Sequence, residues 1–127
     1  MKKTISNQKG FTLIEIIAVL VILGILAAAA VPKYISLQEE ARKNAAYAAI
    51  AEVKARASQY YALRTLETGK APTATDVLAS VSVTPDVGPD FVVSAGAVSA
   101  NSDIPISVTE VRGVTITAVP GTWVYPK

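Results

Sequence analysis

The chain has 127 residues, a formal charge of +2, 51% apolar residues, and neither cysteine nor histidine. That length suits one compact domain beside a long apolar segment, and the missing residue types exclude disulfide stapling, thiolate chemistry and histidine-based acid–base or metal chemistry. Three of the twelve basic residues, Lys2, Lys3 and Lys9, fall in the first ten positions; beyond them nine basic residues face ten acidic ones, a charge of −1 that makes no global case for nucleic-acid binding.

The short basic segment from Met1 to Gly10 is an orientation signal, because lysines stay on the cytoplasmic side of a membrane, so the rest of the chain is expected to be exported. Phe11 to Val31 follows as an apolar run of twenty-one residues. As a helix it measures about 31 Å, matching the roughly 30 Å hydrocarbon core of a bilayer. Only Thr12 and Glu15 in this run are groups that lipid rejects. The Thr12 hydroxyl can bond back to its own helix, whereas the Glu15 carboxylate is expected to lack such a partner. Three readings fit the run. It is a secretory signal peptide cut among Ala27 to Ala30, a plain anchor whose Glu15 stays wet near the interface, or a segment in which Glu15 has a purpose of its own.

The junction Lys9-Gly10-Phe11-Thr12-Leu13-Ile14-Glu15 closely resembles the processing site of type IV prepilins and of the related pseudopilins of type II secretion. The likeness joins a short cationic leader, a small residue at the cut, an aromatic first residue and one acid five residues in. The resemblance implies cleavage between Gly10 and Phe11 by a prepilin peptidase, then N-methylation of the new Phe11 amine. Glu15 lies one helical turn from that amine, which is cationic near neutral pH. A staggered neighbouring helix could bring its own amine to the carboxylate, giving an assembly rule in which each subunit neutralises the Glu15 of another.

Gly24 and Pro32 are the expected helix breaks, costing about 1 and about 3 kcal/mol in a helix interior. The simplest outcome is one kink at Pro32; the resemblance implies local unwinding between the two in an assembled fibre. From Lys33 to about Leu66 an amphipathic helix continues through Leu37, Ala41, Ala45, Ala48 or Ala49, Val53, Ala57, Tyr60 or Tyr61 and Leu63. Glu39 to Lys43 and Glu52 to Arg56 are i,i+4 pairs in the favourable order. Gly69, Lys70 and Pro72 end it. Pro32-Lys33-Tyr34 and Leu37-Gln38-Glu39-Glu40-Ala41-Arg42 resemble the same region of mannose-sensitive haemagglutinin-type pilins, more weakly than the N-terminal match.

After Pro72 a brief helix capped by Thr75 is expected from Asp76 to about Ala79, then strands near Val81 to Val83, Phe91 to Ala95, Ile104 to Val111 and Val114 to Val119. Arg112-Gly113 links the last two as a hairpin. Pro105 suits an edge or a strand start, and the tail is expected to fold Trp123 back onto the sheet. The Lys33 to Lys70 stretch carries seven basic and four acidic residues, whereas Asp76, Asp86, Asp90, Asp103 and Glu110 face Arg112 between Pro72 and Pro126. A basic stem and an acidic head could dock, though a solvated surface explains the charges as well. Asp86, Asp90 and Asp103 offer oxygen ligands to calcium but fit no dedicated loop. Tyr34, Tyr47, Tyr60 and Tyr61 read as packing rather than as a stack, since thirteen-residue steps rotate by about 220°. No nucleophile with its base, metal constellation or phosphate loop supports an enzyme, and no cofactor or metal is expected.

The expected architecture is α+β. Residues 1–10 form a removed leader, 11–32 an apolar transmembrane and assembly helix, 33–70 an amphipathic helix, and 71–127 an antiparallel sheet that makes one globular domain with 33–70. The resemblance implies a structural subunit of a type IV pilus, held in the inner membrane, processed by the peptidase and N-methyltransferase, and drawn into a helical homo-oligomer at the cell surface by an assembly ATPase and its platform. The alternatives are a pseudopilin acting as a piston in type II secretion, and a membrane-tethered periplasmic binding domain.

Overall fold

The computed structural model describes residues 10–82 and 87–127. Expectations for the first nine residues, and for Val83 and Asp86, lie outside the described residues. The elements in order are α1 (Leu13–Thr68), α2 (Ala74–Ser82), β1 (Phe91–Ala95), β2 (Ile104–Val111) and β3 (Val114–Trp123). The chain divides into two units at Leu37 and Gln38, with α1 contributing to both.

The first unit is the leading stretch of α1. Its side chains are exposed throughout, among them Ile14, Leu20, Ile25 and Leu26. The helix is long and apolar enough to cross a membrane, and nothing among the described residues covers its apolar window. It stays helical through Gly24 and Pro32. Proline forfeits one hydrogen bond, to the carbonyl of Ala28, while the turns on both sides keep theirs.

The second unit is the rest of α1, the short helix and the sheet. Ala46, Ala49, Ile50, Val53 and Ala57 are buried on α1. They meet Val77 and Val81 of α2, Ile104, Ile106, Val108 and Val111 of β2, and Val119 and Trp123 of β3 in one core. The expected α+β arrangement holds: an antiparallel sheet of order β1-β2-β3 packs on the second part of the long helix. The expected stripe was partly misplaced, since Leu37 and Leu63 are exposed and Ala46 and Ile50 take the buried positions. Gly121 lets β3 lie against α1, because a Cβ there would run into the Ile50 Cγ2 methyl.

Helix α1 ends where Gly69, at φ 70°, donates its N–H to the Thr65 carbonyl at 2.9 Å. That is an αL C-cap, which glycine adopts without strain. Helix α2 begins at Ala74 and its cap is Thr73, not Thr75. The Thr73 N–H donates to Asp76 Oδ2 at 2.9 Å while the Asp76 N–H donates to Thr73 Oγ1 at 3.3 Å, a reciprocal capping box. The Thr73 hydroxyl, which donates to Asp76 Oδ2 at 2.7 Å, and the Thr73 N–H hold the Asp76 carboxyl below its ordinary range. With that start the helix continues to Ser82, so Val81 is a buried helical residue and not part of a strand.

Strands β1 and β2 keep their expected bounds, and β3 extends to Trp123. Arg112 at φ 53° and Gly113 at φ 72° form the two-residue turn of the β2–β3 hairpin. Pro105 sits near the start of the central strand, where β1 has already stopped and the Pro105 carbonyl accepts the Gly96 N–H at 2.8 Å. Thr109 is skipped in the register with both neighbours, and Ile116 to Ala118 bulge from β3. Trp123 does not fold back from a tail; it is the last residue of β3 and its Nε1–H donates to Ser58 Oγ on α1 at 2.9 Å.

Candidate functional site

The N-terminal end of α1 holds the residues that the sequence singles out. Gly10 and Phe11 precede the helix and are exposed, Phe11 by 86%. Among the described residues a side chain at Gly10 would meet nothing within 4 Å. The next residues make a second capping box. The Thr12 N–H donates to Glu15 Oε2 at 2.8 Å, and the Glu15 N–H donates to Thr12 Oγ1 at 3.4 Å. The Ile16 N–H closes the first turn on the Thr12 carbonyl at 3.3 Å.

This corrects the expectation that Glu15 lacks a partner in its own helix. The first N–H groups of any helix are free, and a glutamate three residues after a threonine reaches one of them. One oxygen of Glu15 is thereby committed to the cap. Its other oxygen, Oε1, accepts no hydrogen bond among the described residues. The box also fixes the side chain beside the helix start rather than letting it extend away. The motif Thr-x-x-Glu that signals this arrangement is plain in the sequence.

The other candidates fall apart or find structural roles. Asp103 Oδ1 accepts the Tyr125 N–H at 3.1 Å, and Asp90 lies 3.8 Å from Arg112. Among the described residues no three acidic side chains cluster to hold a metal. Tyr34 and Tyr47 are exposed, whereas Tyr61 joins Trp123 and Tyr125 in a ring cluster with centroids 5.6–6.3 Å apart. Desolvation within that cluster raises the Tyr125 phenol above its ordinary range, and its hydroxyl donates to the Pro72 carbonyl at 2.8 Å. Tyr125 thus ties the C-terminal residues to the α1–α2 connection in a chain with no cysteine, a closure that the sequence reading missed.

Comparison with known proteins bears on the same N-terminal segment. Residues 5–31 match the family model of the prokaryotic N-terminal methylation motif. The type IV narrow pilus major component PilA5 of Thermus thermophilus is 40% identical over 74 residues, covering 58% of this chain and 60% of that protein. The chain is similar to type IV pilins and pseudopilins and carries their N-terminal methylation motif. Type II secretion system core protein G of Pseudomonas aeruginosa is 47% identical over 54 residues, 42% of this chain and 38% of that protein. Its counterpart in Dickeya chrysanthemi is 34% identical over 84 residues, 66% of the chain and 52% of that protein. The chain therefore spans 60% or less of the length of each of these relatives. No solved structure matches it.

Proposed function

We propose that this chain is the repeating subunit of a type IV pilus. The supporting observation is that the leading apolar stretch of α1 is exposed throughout among the described residues and opens on Phe11, Thr12 and a half-committed Glu15. Under this reading a peptidase cuts between Gly10 and Phe11, the Phe11 amine is methylated, and the subunit waits in the inner membrane until an ATP-driven machine draws it into a surface fibre. Phe11 and Glu15 are the assembly residues, and Gly24 and Pro32 the weak points of the helix within the fibre.

The assembly rule takes its form from the capping box. Oε2 of Glu15 keeps the Thr12 N–H, and the open Oε1 receives the methylated amine of a neighbouring copy. A cation paired in apolar surroundings is bound far more strongly than in water. Replacing Glu15 with Ala leaves membrane insertion intact and removes incorporation into filaments; equal filament yield from that variant would defeat the pairing. Mass spectrometry of the mature protein is the direct test of processing. A methylated Phe11 at the N-terminus is expected, and a protein beginning at Val31 or retaining Met1 in a competent strain overturns the reading.

A second reading, the pseudopilin piston of type II secretion, draws on the likeness to the two core proteins G. Electron micrographs separate the two. Long surface fibres lost on deletion support the pilus, and their absence together with a secretion defect supports the piston. A monodisperse monomer that keeps residues 1–10 and never assembles would favour a tethered periplasmic domain.

A further inference from the structure

Outside the apolar run, the second unit carries two surface features that its own fold does not use. The first is an open cleft between α1 and the β2–β3 hairpin. Ala41 and Ala45 wall it on the helix, Phe91, Val111 and Val114 on the sheet, and it encloses about 570 Å³. Arg42 stands in its lining, as does the Asp90–Arg112 pair. Among the described residues the other arginines each have a carboxylate partner, Arg56 with Glu52 at 2.8 Å, Arg64 with Glu67 at 3.3 Å and Arg112 with Asp90 at 3.8 Å; Arg42 has none.

The second feature is Leu66, in the last turn of α1. It is 83% exposed, more than any other large apolar side chain beyond the membrane-spanning stretch. Glu67 stands beside it, held only by a solvent-exposed pair with Arg64 of the kind that contributes little. The sequence thus places an apolar knob with an acid next to it at one end of this unit. At the other end is a cleft with apolar walls whose lining holds Arg42, an arginine with no carboxylate partner among the described residues.

We propose that Leu66 of one copy seats in the cleft between α1 and the hairpin of a second copy, bringing Glu67 to Arg42. This rests on the reading of the chain as a filament subunit. A second copy is the occupant that the charges favour, because the residue adjacent to the knob is the counter-ion that Arg42 lacks, Asp90 in the same lining being paired with Arg112. The contact joins two different surfaces of one chain, and heterologous contacts of that kind propagate into open helical arrays instead of closing as dimers. Ala41 and Leu66 are twenty-five residues apart in one helix, so two copies with parallel stems that make this contact are displaced along the stem by about 38 Å.

The absence of cysteine makes the test clean. Filaments built from a chain carrying Leu66→Cys and Val114→Cys, treated with a mild oxidant, are expected to give a ladder of cross-linked multimers on a non-reducing gel; either single variant gives no ladder. Filaments of the double variant without a ladder overturn the contact and leave the filament reading standing. A wild-type chain that never forms filaments overturns both. Should the double-cysteine chain fail to assemble, charge reversal decides. Glu67→Arg is expected to lower filament yield at least tenfold without changing the melting temperature of the head, and adding Arg42→Glu is expected to restore it. Unchanged yield in Glu67→Arg, or no recovery in the double reversal, refutes the pairing.

Discussion

Helix α1 is one element by its hydrogen bonds and two by what its side chains do. Before Leu37 it is apolar on every face, and its large residues stand open; after Gln38 it is amphipathic and buries Ala46, Ala49, Ile50, Val53 and Ala57 against the sheet. A helix that is hydrophobic all round has its partner elsewhere, in lipid or in other helices, while an amphipathic one finds its partner in its own chain. The stability of the second unit is therefore intramolecular. The burial of the first must come from a membrane or from other copies.

Truncating a side chain in each part breaks the comparison most sharply. Trp123→Ala removes a nearly fully buried ring and the donor to Ser58, so it should cost about 3–5 kcal/mol in chemical unfolding of the detergent-solubilised chain. Leu20→Ala, at a site 61% exposed within the chain, should stay within about 0.5 kcal/mol of wild type in the same measurement. A large loss from Leu20→Ala would mean that the first part is packed against its own chain after all.

The next effect lies where β3 crosses α1. Gly121→Ala drives a methyl into the Ile50 Cγ2 position, with the Lys54 stem also close, and should destabilise by about 1–3 kcal/mol. Combining it with Ile50→Ala removes the obstructing methyl, so the double variant should be more stable than the sum of the two single losses predicts, by about 0.5–3 kcal/mol. Simple additivity in a double-mutant cycle would show that Gly121 is not there for close approach.

How much of this was legible follows from the same contrast. The apolar run, the stop at Gly69 and the strands at Phe91 and Ile104 are written in composition, turn residues and alternation, and they were read correctly. The face of the second part of α1 was not. With alanines at 41, 45, 46, 48, 49, 51, 55 and 57 nearly every face of that helix is small and apolar, so periodicity alone could not choose Ala46 and Ile50. Val81-Ser82-Val83 has the β-branched alternation of a strand, yet the Thr73–Asp76 box starts a helix upstream that carries Val81 into the core, and tertiary burial overrides propensity. Gly121 reads as a loop until the Ile50 methyl beside it is seen. At the candidate site the Thr12–Glu15 box was there to be found in the motif, and Tyr125 was not, because its partners Pro72 and Asp103 are remote in sequence.

The capping boxes offer a smaller effect that again divides the parts. Thr73→Ala should cost the head about 1 kcal/mol. It should also change the pH dependence, because the Thr73 hydrogen bonds hold the Asp76 carboxyl below its ordinary range. A depressed carboxyl contributes stability that is present above its unfolded value, near 3.9, and is lost as pH falls through the folded value. Wild-type stability should therefore decline on acidification through that window, and Thr73→Ala should flatten that part of the decline. A parallel pair of pH curves would remove the cap from the account. Thr12→Ala, by contrast, should leave head unfolding unchanged at every pH.

The smallest expected effect concerns two charge pairs that the sequence presents as equals. Glu39–Lys43 and Glu52–Arg56 have the same spacing and order, but only the second forms, with Arg56 Nε 2.8 Å from Glu52 Oε1. Glu39, Arg42 and Lys43 instead line a pocket with Val114 to Thr117 of β3. Arg56→Ala should thus cost about 0.3–0.5 kcal/mol, falling with added salt, as an exposed i,i+4 pair does. Lys43→Ala should cost less than the uncertainty of the same unfolding experiment and show no salt dependence. A loss from Lys43→Ala as large as that from Arg56→Ala would mean that spacing alone sets pairing on this helix and that the hairpin beside it does not redirect the charges.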